Sequence, residues 1–302
     1  TPYEGYYTQD EARDIVEYAR QRHIVVVPEI DMPGHQLAAL AAMPNLGCTG
    51  GPYKVGTVWG VYDDILCLGN EDTYKFCEDV LSELIDIFPS EVIHIGGDEA
   101  PTVRVEHCPK CQALMQREHL TPKNIQGYFT NRIEKFVNSK GRRIMGWDEI
   151  MDGDINTSAM VHCWRNPSFG IKAAQKGHDV VLSPTKYCYF DFYQANPRAV
   201  HEPLAIGGYL PVDSVYNMDT MPKDISPENR KHIIGIQANL WTEYVAVPNH
   251  AEYMLLPRMA ALAENAWVKD RGPYSAFLPR LTRLKSLYDV YNLHYANHVW
   301  KK

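Results

Sequence analysis

Acidic and aromatic residues follow six short apolar runs along the chain. These sets are EIDMPGH (29–35), HIGGDE (94–99), GWDE (146–149), HCWR (162–165), YCYFD (187–191) and NLWTE (239–243). Aromatic rings pack against the apolar C–H face of a pyranose, and carboxylates accept hydrogen bonds from its hydroxyl groups. A phosphate-binding loop would need Lys-Ser/Thr after its glycines, which Gly96-Gly97 lacks. The pattern therefore favours a carbohydrate substrate.

The adjacent carboxylates Asp98 and Glu99 form the sharpest of these features. Ordinary retaining glycosidases place two carboxyl groups about 5–5.5 Å apart, on opposite sides of the bond that breaks. Neighbouring side chains at the end of a strand point in different directions, so these two are poorly placed to face one another. The pair predicts a division of labour in which one acid protonates the leaving oxygen. The other would orient and stabilise a group on the sugar.

The elements that must position these residues alternate between short strands and amphipathic helices. A capping box at Thr8 and Glu11 predicts the start of a helix that continues to about Arg22. The near-continuous apolar run His23–Ile30 then predicts a parallel strand buried on both faces. Further helices are predicted at 72–88, 122–141, 171–176, 252–267 and 279–291, with a break at Pro257.

Repeated strand–helix units predict an α/β fold of the (β/α)8 TIM-barrel type, with its site at the carboxyl ends of the strands. Six strands are predicted, centred near Val26, Ile95, Met145, Val161, Val181 and Ile236. A closed barrel needs eight strands. We therefore expect residues 1–302 to form one N-terminally truncated barrel domain that holds strands 3 to 8. Strands 1 and 2 would lie outside this chain.

Charge and hydropathy exclude several other classes of protein. The 302 residues include 30 Lys and Arg against 37 Asp and Glu, which leaves a net charge of −7. This acidic balance, without a basic block, argues against a nucleic-acid partner. No apolar run approaches the roughly 18 residues that a membrane span requires.

The seven cysteines leave two interpretations open. Cys108-Pro109-Lys110-Cys111 has the spacing of half a zinc site, but no second pair with that spacing accompanies it. A loop disulfide or free thiols are favoured instead, and Cys48 and Cys67 are candidates for a bridge in an oxidising compartment. We therefore expect no metal and no cofactor.

The motif HIGGDE resembles the signature of the β-N-acetylhexosaminidases of glycoside hydrolase family twenty. EIDMPGH, GWDE, YFD and LWTE follow in that family's order and approximate spacing, from about Tyr6 to Trp267. The segments CTGGPY and CYFDFYQ most resemble bacterial members. The resemblance implies an exo-acting enzyme that removes terminal GlcNAc or GalNAc with retention of configuration. Its nucleophile would be the substrate's own 2-acetamido oxygen, which forms an oxazolinium intermediate.

The resemblance also implies roles for individual residues. Glu99 would be the general acid/base, Asp98 would hold the acetamido N–H, and Tyr189 would donate its hydroxyl to the acetamido oxygen. Tyr187 is the alternative to Tyr189. The acetamide pocket would be lined by Trp147, Trp164 and Trp241. The sugar hydroxyl groups would be bound by Asp191 and Glu243. Asp31 and His35 would form a pair beside Glu99.

Part of the family pattern has no counterpart before Thr8, including an Arg that grips the sugar hydroxyls and a non-catalytic domain. An alternative interpretation is therefore an incomplete fragment or degenerate homologue that at most binds amino sugars. A weaker one is a metal-dependent barrel hydrolase, suggested by the many His and Asp residues. The implied partner is an amino-sugar glycan or glycoconjugate, and the implied location is periplasmic, cell-surface or secreted. A homo-oligomer is left open.

Overall fold

A computed structural model describes residues 5–196 and 198–301. The chain divides into two compact units, Thr1–Val161 and His162–Lys302. The strand β3 (Met160–Cys163) contains the point of division. The expectation of a single truncated barrel domain stays a prediction.

Besides three short 3₁₀ helices, the first unit contains five α-helices and two paired strands among its described residues. The helices are α1 (Gln9–Arg20), α2 (Leu37–Ala42), α3 (Glu71–Ile87), α4 (Pro109–Glu118) and α5 (Ile125–Ser139). Strands β1 (Val92–His94) and β2 (Arg143–Trp147) pair in parallel, with Ile93 opposite Ile144. Their buried apolar residues pack with those of α3 and α5, including Leu81, Phe129 and Ile133. This core supports the carboxyl ends of both strands.

The predicted capping box is present at the start of α1. The Thr8 hydroxyl accepts a hydrogen bond from the Glu11 backbone N–H at 3.2 Å. The Glu11 carboxylate accepts one from the Thr8 backbone N–H at 2.7 Å. These bonds satisfy backbone donors that the first helical turn leaves without partners, which confirms this prediction.

The prediction for His23–Ile30 is only partly right. The segment lies beside β1, where Glu29 and His94 form a parallel bridge. Ile24 and Val25 are nevertheless 58% and 68% exposed, so the expected burial on both faces is wrong. The reason is that backbone pairing with β1 begins only at Pro28, whose carbonyl accepts from the His94 N–H at 2.9 Å. The apolar run before Pro28 is therefore not covered as a central strand would be.

Two separate parallel strand pairs lie among the described residues of the second unit. Strand β4 (Val180–Leu182) pairs with β7 (Ile233–Ile236), and β5 (Phe192–Tyr193) pairs with β6 (Gly207–Tyr209). Its helices are α6 (Pro167–Gln175), α7 (Thr185–Cys188), α8 (Val212–Tyr216), α9 (Pro248–Leu255), α10 (Arg258–Trp267) and α11 (Tyr274–Val290). A buried apolar cluster joins residues of α8, α10 and α11 to Phe190 and Leu210.

Two prolines affect the last helices in different ways. Pro257 separates α9 from α10, as predicted. The final helix starts at Tyr274 rather than at the predicted Pro279, which lies inside it. Phe277 in its first turn is buried in the apolar cluster. This packing keeps the first turn helical although Pro279 has no N–H group to donate a backbone hydrogen bond. No helix in the described part of the chain is both long and apolar enough to cross a membrane.

Candidate active site

Two glycines after β1 set the direction of the Asp98-Glu99 pair. Gly96 and Gly97 have φ angles of +66° and +96°, a region that disfavours other residues. A Cβ atom added to Gly96 would lie 1.9 Å from Oδ1 of Asp31. That same oxygen accepts a hydrogen bond from the Gly97 N–H at 2.9 Å. The glycines therefore let the turn close onto Asp31.

The turn after Glu29 approaches the same backbone from the other side. A Cβ atom on Gly34 would lie 2.8 Å from the carbonyl oxygen of Asp98, so only glycine fits there. His35 and Glu99, which follow these turns, both have positive φ angles, 54° and 46°. Backbone strain of this kind concentrates at functional sites. It aims the two side chains in directions that ordinary strand geometry would not give.

The His35 imidazole faces both members of the acidic pair. Its Nε2 atom lies 3.5 Å from Oδ2 of Asp98 and 3.3 Å from Oε2 of Glu99. The Glu99 side chain is 38% exposed, whereas that of Asp98 is only 18% exposed. Glu99 is thus the carboxyl group that a leaving group could reach from solvent, and Asp98 is the recessed one.

The protonation states of this group follow from burial and from neighbouring charges. Burial, with the charge of Asp98 second, raises the pKa of Asp31 to about 8. The hydrogen bond to Asp98 raises the pKa of His35 to about 9. Burial works against the charge of Asp98, but hydrogen bonds from His35 and Asp31 hold its pKa below the usual value. At neutral pH Asp31 therefore holds a proton, His35 is a cation and Asp98 is an anion.

One oxygen of the Asp98 carboxylate lacks a donor. Among the described residues, no group donates a hydrogen bond to its buried Oδ1 atom. Buried polar atoms are almost always paired, and an exception calls for an explanation. A ligand N–H group would supply the missing donor.

Trp147 is held by a residue that sequence reasoning did not select. Its indole N–H donates to Oε1 of Glu29 at 3.0 Å, and its ring packs 4.9 Å from that of His94. The Glu29 carboxylate also lies 3.2 Å from Nδ1 of His94. Glu29 opens the EIDMPGH motif, so its position was a signal that could have identified it. The residue fixes the orientation of the buried Trp147 ring.

Aromatic and polar side chains contact Tyr189 in the second unit. Its ring stacks on Trp164, with centroids 6.1 Å apart and planes 29° apart. Trp241, Asn239 and Thr185 hydrogen-bond its side chain, although burial raises its pKa overall. The backbone of Tyr189 bridges that of Asn239 in parallel, which fixes the residue next to the LWTE motif. Tyr189 thus remains a neutral hydroxyl that can donate.

Asp191 and Glu243 form an acidic pair in this unit. Burial, followed by the charge of Glu243, raises the pKa of Asp191 to about 6. The Asp191 side chain is buried, and its Oδ1 atom has no hydrogen-bond partner in the ranges that the structure describes. Glu243 is exposed. Two carboxylates of this kind can accept hydrogen bonds from neighbouring hydroxyl groups.

Residues 1–270 match the model of the glycosyl hydrolase family 20 catalytic domain. The chain belongs to this family. A β-hexosaminidase of Porphyromonas gingivalis is 40% identical over 98% of this chain and 38% of its own length. One from Vibrio furnissii is 37% identical over 86% of this chain and 43% of its own length. The chain thus spans about two-fifths of the length of these two relatives.

Solved structures of the family agree with the fold. A family 20 exo-β-N-acetylglucosaminidase from Vibrio harveyi, in complex with N-acetylglucosamine, is 32% identical and covers 99% of this chain and 47% of its own. Its TM-score is 0.85. A chitobiase from Flavobacterium johnsoniae is 34% identical over 95% of this chain and 43% of its own, with a TM-score of 0.83. These matches confirm the predicted fold, a TIM-barrel-type α/β catalytic domain.

Arg258 is the second residue that sequence reasoning missed in this family 20 chain. It is fully buried at the start of α10 and donates to the backbone carbonyls of Phe190, Phe192, Leu210 and Met254. Burial lowers its pKa, whereas the charges of Glu202 and Asp191 raise it. The signal available was a lone Arg in the apolar sequence of α10. Its guanidinium holds the segment on both sides of Asp191.

Among the residues that the structure describes, two groups of side chains have the composition of a metal site. Asp31, His35 and Asp98 place one ligand atom each within 4.8 Å of the others, but they already interact with one another as described above. Cys48, Cys67, Cys108 and Cys111 form the other group. All seven cysteines are free in the structure, so the bridge considered between Cys48 and Cys67 is not formed.

Proposed function

We propose that the whole protein is an exo-β-N-acetylhexosaminidase that hydrolyses terminal non-reducing N-acetylhexosamine residues of glycans or glycoconjugates. The observation that carries this proposal is the recessed, ionised Asp98 with an unpartnered Oδ1 atom beside the exposed Glu99. The names of the relatives support the substrate class, because they are β-hexosaminidases and the Vibrio harveyi enzyme is seen with N-acetylglucosamine.

In the first step, the substrate's acetamido oxygen attacks the anomeric carbon while the bond to the leaving oxygen breaks. Glu99 transfers its proton to that leaving oxygen. The amide becomes an oxazolinium ion, and the Asp98 anion accepts its N–H and stabilises the positive charge. The Asp31 proton and the His35 cation keep Asp98 ionised and oriented.

In the second step, the Glu99 carboxylate removes a proton from a water molecule that attacks the same anomeric carbon. The bond to the acetamido oxygen breaks, which restores the amide, and the proton taken from water leaves Glu99 protonated for the next cycle. Two displacements at one carbon give net retention of configuration. In this proposal Tyr189 donates to the acetamido oxygen, and Trp147, Trp164 and Trp241 exclude water from the acetamide. Asp191 and Glu243 bind the 4- and 6-hydroxyl groups of the sugar.

The role of Glu99 is tested with Glu99→Gln and the matched control Glu91→Gln, an exposed acid on the same unit. On a β-linked GlcNAc disaccharide we expect the Glu99 variant to lose about 10²-fold or more in kcat. The loss should be smaller on a nitrophenyl glycoside, since that leaving group needs less protonation. Equal turnover by both variants would reject Glu99 as the acid. Sugar binding by the wild-type protein without turnover would favour the amino-sugar-binding module instead.

The nucleophile is tested by changing the substrate rather than the protein. Replacing the N-acetyl group with N-trifluoroacetyl withdraws electrons from the attacking oxygen. We expect kcat to fall steeply with this substrate, and the first-formed anomer seen by NMR to be β. A rate insensitive to fluorination, or an α product, would contradict the substrate-assisted mechanism.

A further inference from the structure

Four cysteines from three segments of the first unit converge on one point. Every pair of their sulfur atoms is within 4.8 Å. The Sγ atom of Cys67 lies 3.6 Å from that of Cys108 and 3.7 Å from that of Cys111, and Cys48 lies 3.9 Å from Cys111. Three of the four are buried. Hydrogen bonding among the thiols does not explain such a group, because the S–H group is a weak donor.

The sulfur–sulfur distances match a tetrahedral ion site. Zinc bound by thiolate has Zn–S bonds of about 2.3 Å, so the corners of its tetrahedron are about 3.8 Å apart. The three distances of 3.6, 3.7 and 3.9 Å lie close to this value. Two disulfides would instead bring the sulfur atoms together in pairs at about 2.05 Å.

The backbone around the cluster has the features of a thiolate site. Cys108 occupies the N-cap position of α4, and Cys111 follows in its first turn, so both lie where the helix dipole favours anions. The Gly69 N–H group donates to the Cys111 sulfur. A Cβ atom on Gly69 would lie 2.2 Å from the carbonyl carbon of Lys110, so only glycine permits this approach. Such N–H contacts orient metal-bound sulfur.

The other two cysteines lie on neighbouring segments that are joined by backbone pairing. Gly47, next to Cys48, bridges Leu66, next to Cys67. The Leu66 N–H also donates to the Pro33 carbonyl at 3.0 Å, one residue before Gly34. An ion at the cluster would therefore connect α4 to the segment that supports the turn carrying His35.

We propose that Cys48, Cys67, Cys108 and Cys111 bind one structural zinc ion as thiolates. Four protein ligands leave no open coordination position, so this ion takes no part in the hydrolysis. Its function is to fix the base of the loop between Cys48 and Cys67 against α4. This replaces the expectation from sequence that the chain has no metal, since the second pair of ligands is contributed by residues 19 positions apart.

The test is the metal content of the full-length protein, purified without a polyhistidine tag and analysed by mass spectrometry. We expect about one zinc per chain. A Cys108→Ser/Cys111→Ser double variant should lose the ion and unfold at a lower temperature. Cys77→Ser is the matched control, because Cys77 is buried in α3 outside the cluster, and it should keep the zinc. Retention of zinc by the double variant would overturn the assignment.

A second measurement keeps the proposal testable if the double variant does not fold. Titration of the wild-type protein with a mercurial reagent should release its zinc as four thiols react. Replacement of zinc by Co²⁺ should give the absorption bands of a tetrahedral cobalt–thiolate centre. All seven thiols should be free when the protein is denatured without reductant and with a chelator. Two disulfides, stoichiometric iron or seven thiols without metal would each overturn the proposal.

Discussion

The Nε2 atom of His35 lies 3.5 Å from Oδ2 of Asp98, and the two groups carry opposite charges at neutral pH. This contact spans two strand-end motifs that are far apart in sequence. It explains how a recessed carboxylate stays ionised although its burial favours the neutral acid. The charge on Asp98 is thus a property of the pair, and changes at His35 should alter it.

The first prediction concerns stability as a function of pH. The pKa of His35 rises from 6.5 to about 9 on folding, so its contribution is complete below pH 6.5. That contribution is lost as the pH rises through about 9. Asp31, with a pKa raised to about 8, acts in the same direction. We expect the Tm of the wild-type protein to fall between pH 6.5 and 9, and to fall less in His35→Gln.

Thermal unfolding at several pH values across this range checks the prediction. His294→Gln is the control, because this half-exposed histidine of the second unit contacts Glu252 and is not among the groups that shift the pKa of Asp98. The control should follow the wild-type curve. Parallel curves for His35→Gln and the wild-type protein would show that His35 does not gain its proton affinity from the fold.

The second prediction separates the two partly buried aspartates, Asp31 and Asp98, by their protonation states. At neutral pH Asp31 holds a proton. Asp31→Asn therefore keeps a hydrogen-bond donor for Asp98 and an acceptor for the Gly97 N–H. We expect its kcat to stay within roughly fivefold of wild type. Asp98 acts as an anion, so Asp98→Asn should lower kcat by about 10²-fold or more.

Steady-state kinetics of both variants at pH 7 make this comparison. Asp31→Leu is a further control, because it removes the acceptor of the Gly97 N–H, and it should lose activity where Asp31→Asn does not. If Asp31→Asn falls as far as Asp98→Asn, Asp31 acts as an anion and the assigned protonation states are wrong.

The sequence was most informative where the local structure depends only on residues that are close together in the sequence. Thr8 and Glu11 predict their own capping box, and the helical periodicity places α3 and α5 to within a few residues. The exposure of Ile24 and Val25 could not be predicted, because it depends on what packs against the second face of the segment. The spacing of apolar residues does not contain that information.

The same distinction applies to the candidate site. The motifs predicted that Asp31, His35, Asp98 and Glu99 lie together, and the structure brings them together. They did not predict which carboxyl group is protonated, since that depends on distances and burial. Nor did spacing show that Cys48 and Cys67 join the Cys108–Cys111 pair. Tertiary contacts decide all of these properties.

The third prediction concerns the acidic side of the pH profile. Burial and the charge of Glu243 raise the pKa of Asp191 to about 6, so Asp191 should become protonated below that pH and bind sugar hydroxyls less well. We expect kcat/KM to decline below about pH 6. In Glu243→Gln the like charge is removed, the pKa of Asp191 falls, and the decline should move to lower pH.

The readout is the position of the acidic limb, measured as kcat/KM against pH, because Glu243→Gln is also expected to bind the sugar less tightly at every pH. Glu228→Gln, an exposed acid of the same unit, should leave the limb in place. An unchanged limb in Glu243→Gln would indicate that the Asp191–Glu243 interaction does not control binding.

The fourth prediction concerns Arg258, which bonds the carbonyls on both sides of Asp191. Arg258→Met leaves these buried carbonyls without donors, and each such group costs about 1–3 kcal/mol. We therefore expect the free energy of unfolding to fall by at least about 3 kcal/mol in a urea titration. Arg283→Met is the control, because Arg283 is exposed, and it should change stability by less than about 0.5 kcal/mol.

Arg258→Lys distinguishes support of Asp191 from a purely structural role. The lysine keeps the charge but cannot reach every carbonyl with a planar fork of donors, so the Asp191 segment should be held less firmly. If this variant is folded at 25 °C, its KM should rise more than its kcat falls, because Asp191 is proposed to bind hydroxyl groups rather than to take part in proton transfer. A fall in kcat with KM unchanged would contradict that role. Equal stability of Arg258→Met and Arg283→Met would show that the carbonyls find other donors, and Arg258 would then not be what holds Asp191 in place.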